Sequence, residues 1–148
     1  MSHYVKTTSR MCNRAALVAA LEDMGFKDRV EVHDKATNLK GYQNDTRPDL
    51  ANVILRRRDV GGASNDIGFV LRNDGTYEAI ISEYDRGNGA CRKNDLSREF
   101  SGYNNKWLDR LQQHYSKHVI RTKAAELGYA MTEKVIDGKI IVTCDAGF

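Results

Sequence analysis

The sequence holds one proline, three cysteines and no apolar run approaching the roughly 20 residues that span a bilayer. Each shortage excludes something. Cys12, Cys91 and Cys144 are odd in number and far apart, which argues against a disulfide framework and against the paired spacing of a structural zinc site. Reduced thiols in a cytoplasm fit them best. Met1 to Arg14 contains no apolar stretch that would serve as a signal-peptide core. The expectation is therefore a cytoplasmic chain with no membrane anchor. No internal repeat or low-complexity tract is present, and 41% hydrophobic with 29% charged residues is ordinary globular usage. A chain of 148 residues buries roughly 70% of the surface its unfolded form exposes, enough for one core without staples. Excess charge is equally scarce: 23 Lys and Arg against 20 Asp and Glu leave +3, a mild pull towards polyanions.

What is present reads as strand, helix, several antiparallel strands, long helix and hairpin. His3–Ser9 is a short strand. Asn13–Met24 then places Leu17, Leu21 and Met24 at helical spacing, and Gly25 stops that helix. Val30–Asp34 alternates as a half-buried strand, a second extended piece follows around Leu39–Tyr42, and Asp45–Asp49, with Pro48, reads as a turn. Val53–Arg58 and Ile67–Leu71 are further strands. Asn73-Asp74-Gly75 is a hairpin signal, because these residues tolerate positive φ, and Tyr77–Tyr84 returns from it. Asp85–Asn94 reads as a loop. Tyr103–Leu127 carries Leu108, Leu111, Tyr115, Val119 and Thr122 at three-and-four spacing, with Trp107 widening the stripe and Gly128 ending it. Met131–Ile136 and Ile140–Cys144 flank Asp137-Gly138 as a terminal hairpin. Short connections predict an α+β fold: one domain over residues 1–148, a largely antiparallel sheet with two helices packed on one face.

Several groups of residues bear on chemistry, and each has a plainer reading. His114 and His118 lie four apart on the long helix, as metal-binding pairs do. Arg110 occupies the place one turn earlier, and Asp109 points off that face, so no third ligand joins them there. A helix this long and polar often carries two His at such spacing by chance, so a solvated or half-buried face is the plainer reading of the pair. Arg56, Arg57 and Arg58 form one basic run, and with Arg72, Arg92 and Lys93 they would make a cationic patch beside Tyr42, Tyr77 or Tyr84. Such mixtures bind phosphates and stacked bases, although arginines on an edge strand often only solubilise it. Gly61-Gly62 lacks the Gly-Lys-Ser/Thr ending of a phosphate loop, and Cys91 has no His at a known catalytic spacing. Asp66, Asp74, Glu78, Glu83 and Asp85 supply carboxylates along the central hairpin for an acid/base pair, with no pattern that specifies a reaction.

Taken in order, Met1-Ser2-His3-Tyr4, Gly41-Tyr42, Asp66-Ile67-Gly68-Phe69, Asp74-Gly75-Thr76-Tyr77-Glu78, Gln113-His114-Tyr115 and Asp137-Gly138-Lys139-Ile140 resemble a known family from Met1 to about Val142. It is the plastid, cyanobacterial, bacterial and phage open reading frame called ycf thirty-five, or domain of unknown function twelve fifty-seven. The resemblance implies no reaction, cofactor or catalytic residue. Genes of the family can lie beside those of AAA-type ATPases, which implies an accessory or adaptor role. Tyr4 where Phe is usual, and the Arg- and Gly-rich stretch Arg56–Asn65, fit a specialised or phage-borne member.

These readings rank three functions. First is a non-enzymatic module that binds a protein partner, as an adaptor or inhibitor, through a sheet edge or the face of the long helix, with a homodimer compatible with an open edge. Second is nucleic-acid binding through the arginines, and third a metal-dependent enzyme at His114 and His118. No cofactor is called for.

Overall fold

Five strands pair antiparallel in the order β1-β5-β4-β3-β2, where β1 is Tyr4–Thr8, β2 Val30–Lys40, β3 Thr46–Leu55, β4 Ile67–Leu71 and β5 Tyr77–Ser82. This is a computed structural model, and it describes residues 3–87 and 100–145. Alternation sends Val53, Leu55, Ile67, Phe69, Tyr77, Ala79 and Ile81 to one sheet face, where they meet Leu17, Leu21, Met24, Trp107, Leu111 and Tyr115. Those residues belong to α1 (Arg14–Leu21), the wide π turn after it (Glu22–Phe26) and α4 (Asn105–Leu127), so both long helices cover the same face. The α+β architecture expected from the sequence is the one observed.

The helix ends explain themselves. Asn13 Oδ1 accepts the Ala16 N–H at 3.0 Å, and Gly25 takes φ 101° where α1 gives out. Asn104 Oδ1 accepts the Trp107 N–H at 3.2 Å to open α4, and Gly128, at φ 73°, closes it. Trp107 is fully buried, edge-on to Tyr103 at 5.0 Å, and the Tyr103 hydroxyl donates to the Val60 carbonyl at 2.8 Å. A ring of that size contributes on the order of 4–6 kcal/mol of hydrophobic burial. The stripe fails beyond Tyr115: Val119 is 37% exposed, because the main core reaches along α4 only as far as Tyr115.

Several boundaries differ from the sequence expectation. The two extended pieces between Val30 and Tyr42 are one strand, interrupted by a bulge between Val32 and Thr37. Asn52 closes that bulge, its buried side chain donating to the His33 and Asp34 carbonyls and accepting the Leu71 N–H. The expected turn at Asp45–Asp49 is mostly strand; the chain reverses over residues 41–45, with Asn44 at φ 62°. Pro48 lies between Leu50 and Thr46, a stretch with no partner in β2, so its missing N–H breaks no ladder bond. Strand β3 ends at Leu55, and Arg57–Val60 is a helical turn, α2, so Arg56–Arg58 are not strand residues. Glu83–Gly87 forms α3, which shortens β5; residues 88–94 of the expected loop lie outside the described residues.

The bulge lets the β2–β3 hairpin fold back over the second sheet face. Leu39, Ala51, Ile54 and Ile80 form a small core there, flanked by Tyr4 and Val70. Gly68 makes the fit possible: a Cβ on it would stand 2.6 Å from Ala51 Cβ and 2.9 Å from Leu39 Cδ2. The terminal hairpin stands apart from the sheet. Strands β6 (Ala130–Ile136) and β7 (Lys139–Asp145) pair only with each other among the described residues, reverse at Asp137 and Gly138 with positive φ at both, and pack on α4.

Candidate functional site

The arginine run starts where β3 leaves the sheet, and its first member is consumed by the fold. Arg56 grips Glu31 with Nε at 2.7 Å and Nη2 at 2.9 Å, while Nη1 reaches Asp66 Oδ2 at 2.8 Å. This fork holds the Glu31 carboxyl below the usual carboxylate range. The Asp66 carboxylate is fully buried and also accepts the Arg57 N–H and the Lys40 N–H, each at 2.7 Å. It therefore ties the folded-back hairpin to the start of α2. Arg57 lies over the Tyr42 ring at 5.8 Å, and Arg58 extends outward with Nε 3.6 Å from Asp59 Oδ2.

The rest of the expected patch is not gathered here. Leu55 pairs with Ile67, so Arg56 sits at the start of β4, whereas Arg72 follows its end, roughly 17 Å along a strand. Tyr77 is buried in the core, leaving Tyr42 and Tyr84 as the rings on this side. Arg92, Lys93 and Cys91 lie outside the described residues.

His114 and His118 do share a face, and both reach Asp23 in the π turn: His118 Nε2 is 2.7 Å and His114 Nδ1 3.1 Å from Asp23 Oδ2. The same oxygen meets Lys117 Nζ at 3.0 Å, and that ammonium lies 3.5 Å from Glu133 Oε1 on β6. Burial alone would raise the Asp23 pKa, but Lys117 and His118 outweigh it and the carboxyl ends below its ordinary value. Burial pushes His114 down, Lys117 adds to this, and Asp23 pulls against them. Sequence spacing misses Asp23 because it lies 91 residues from His114. With Lys117 competing for the carboxylate, and no group of three or more His, Cys, Asp or Glu placed to hold a metal among the described residues, the cluster acts as an ion-pair tie between the π turn, α4 and β6.

Of the carboxylates along the central hairpin, Asp85 is the other fully buried one besides Asp66, and Asp74 caps its own turn through Thr76. Asp85 Oδ2 accepts the Ser82 hydroxyl at 2.7 Å and the Asn65 N–H at 3.0 Å, and the Asn65 amide donates to Ser82 Oγ at 3.0 Å. Burial raises the Asp85 pKa; Ser64, Ser82 and Asn65 oppose it. Ser64 thus favours the anion, yet neither Ser64 Oγ nor Asp85 Oδ1 has a partner in hydrogen-bonding geometry.

A folded pKa above the unfolded one means that Asp85 stabilises the fold fully below the unfolded value of about 3.9 and loses that contribution as pH rises through the folded value. Asp85→Asn mimics the neutral form, its amide oxygen taking the bonds of Oδ2. Urea denaturation from pH 4 to 8 is expected to shift the difference between variant and wild type in favour of Asp85→Asn as pH rises above the unfolded value, and to level off once pH has passed the folded one. A difference that stays constant over that range contradicts the assignment.

No described helix is long and apolar enough to cross a membrane. No curated protein and no solved structure matches the chain at a significant level. The family model described as Protein of unknown function (DUF1257) matches residues 20–143, from α1 through the site residues to the terminal hairpin. The chain therefore belongs to the DUF1257 family of proteins of unknown function.

Proposed function

We propose that this chain is a small protein-interaction module whose docking element is the terminal hairpin with the outer half of α4. One observation carries the reading. Of the large hydrophobic side chains exposed among the described residues, seven of eleven lie from Val119 onward: Val119, Ile120, Leu127, Tyr129, Val135, Ile136 and Ile141. Two-stranded ribbons are marginal in water, and this one is supported by one helix. Glu133 reaches back to Lys117 and Arg121 on α4, so alternation turns Thr132, Lys134 and Ile136 outward, with Ile141 opposite Lys134 and Lys139 opposite Ile136. The outward face is an aliphatic strip between lysines, suited to a partner offering apolar side chains rimmed by carboxylates.

Affinity capture from a cell lysate treated with nuclease is expected to retain one stoichiometric protein on the wild type and lose it on Ile136→Glu/Ile141→Glu, with the fold intact by circular dichroism. Equal retention by both proteins, or a partner that leaves with nuclease, contradicts the reading.

A further inference from the structure

The folded-back β2–β3 hairpin does more than cover the sheet. Between its tip, the loop after α2 and α3 it leaves a cleft of about 540 Å³ whose walls include Tyr42, Asp45, Arg47, Asn65 and Tyr84. Small-molecule sites run from about 300 to 1,000 Å³. The walls are held from behind. The Tyr42 N–H donates to Asn65 Oδ1 at 2.9 Å, and Asn65 is fixed in turn by Ser82 and Asp85. Arg47 lies over the Tyr4 ring at 5.1 Å, and the Tyr4 hydroxyl donates to the Asp66 carbonyl at 2.9 Å. The tip itself is closed by Gly41 N–H to Asp45 carbonyl at 2.9 Å.

Such pre-ordering lowers the entropy lost on binding. It also answers a question of energetics. A buried Asn65–Ser82–Asp85 network with a raised carboxyl pKa and no partner for Asp85 Oδ1 is a poor way to stabilise a core, because apolar residues of similar volume serve as well or better. Its product is the fixed position of Asn65 and, through it, of Tyr42.

The chemistry on the walls is specific in kind. Two phenol rings offer faces to a planar heterocycle, a guanidinium offers a fork to a phosphate, and a carboxylate accepts from hydroxyl or amino groups. Asp45 close to Arg47 in the chain disfavours a bare polyphosphate. We propose that the cleft binds a nucleotide, with the base against Tyr42 and Tyr84, the phosphate on Arg47 and a sugar hydroxyl or exocyclic amine on Asp45. The nucleotide comes either free or as one unit of a single strand.

Calorimetric titration of the full chain with AMP, GMP, CMP and UMP, and with a hexauridylate strand, tests this. At least one mononucleotide, or the strand, is expected to bind at about millimolar affinity or tighter. For the mononucleotide, the matching nucleoside binds about tenfold weaker, and Arg47→Gln and Tyr84→Ala each cost about tenfold, while Tyr84→Phe stays close to wild type. Tighter binding of the strand than of every mononucleotide identifies the strand as the source; the reverse identifies the free nucleotide. Silence from all five probes overturns the proposal. So does binding unchanged in both Arg47→Gln and Tyr84→Ala proteins of wild-type circular dichroism, or binding that inorganic phosphate alone reproduces.

Discussion

Asp66→Ala is expected to lose about 3–5 kcal/mol of stability, a large share of the 5–15 kcal/mol that holds a domain of this size folded. The carboxylate is completely buried and takes three donors: the Arg57 and Lys40 backbone N–H groups and the Arg56 guanidinium. Removing it strands two part-buried backbone donors, each costing about 1–3 kcal/mol, and leaves Arg56 with Glu31 alone. Asp66→Asn helps little. Both carboxylate oxygens accept from N–H groups, so either orientation of the amide sets its NH2 against another donor. Glu31→Gln tests the other half of the fork, and because Glu31 is 39% exposed the expected loss is about 1 kcal/mol or less. The check is the urea midpoint of the three variants. A loss under about 1 kcal/mol for Asp66→Ala would mean that the clamp is not what holds the hairpin down.

Asp66 also marks the limit of what the sequence discloses. Local signals are legible: the helical run begins after Asn13 and breaks at Gly25 in the π turn that follows α1, Asn73–Gly75 and Asp137-Gly138 turn where their tolerance of positive φ predicts, and the α4 stop is Gly128. Each rests on residues a few positions apart. The clamp, by contrast, joins residues 31, 40, 56 and 66, and the Asp23 cluster joins the π turn to α4 and β6. No periodicity carries such pairings. Sequence alone reads Arg56 as a solvent-facing or phosphate-binding cation because its two carboxylate partners arrive from elsewhere in the chain, Glu31 on β2 and Asp66 just before β4. Tyr77 looked available for stacking because alternation alone does not say which face of β5 is covered.

The same blindness applies to the bulge in β2. The sequence showed two extended pieces and a turn at Pro48; the chain instead makes one long hairpin that bends over the sheet and carries Arg47 to Tyr4. Asn52 is the nearest thing to a signal, since a polar residue inside an apolar strand asks for buried partners, here the bulge carbonyls.

Gly68→Val should act on that bend directly, with an expected loss of about 3 kcal/mol. Gly68 lies in extended β4, so backbone strain is not the cause; space is. The new Cβ would stand 2.6 Å from Ala51 Cβ and within 2.9 to 3.1 Å of both Leu39 methyl carbons. Leu39 can change rotamer, but Ala51 Cβ moves only with its strand, so β3 must shift or the hairpin must lift. Gly68→Ala makes the sharper comparison, because the nearest clash is then one methyl against another. Adding Ala51→Gly is expected to recover much of the Gly68→Ala loss, and a double-mutant cycle measures the coupling. Additive losses would place the strain elsewhere. If the hairpin lifts rather than the strand shifting, Gly68→Val also opens the cleft, and nucleotide binding falls further than the remaining folded fraction accounts for; binding that follows the folded fraction alone assigns the damage to the sheet.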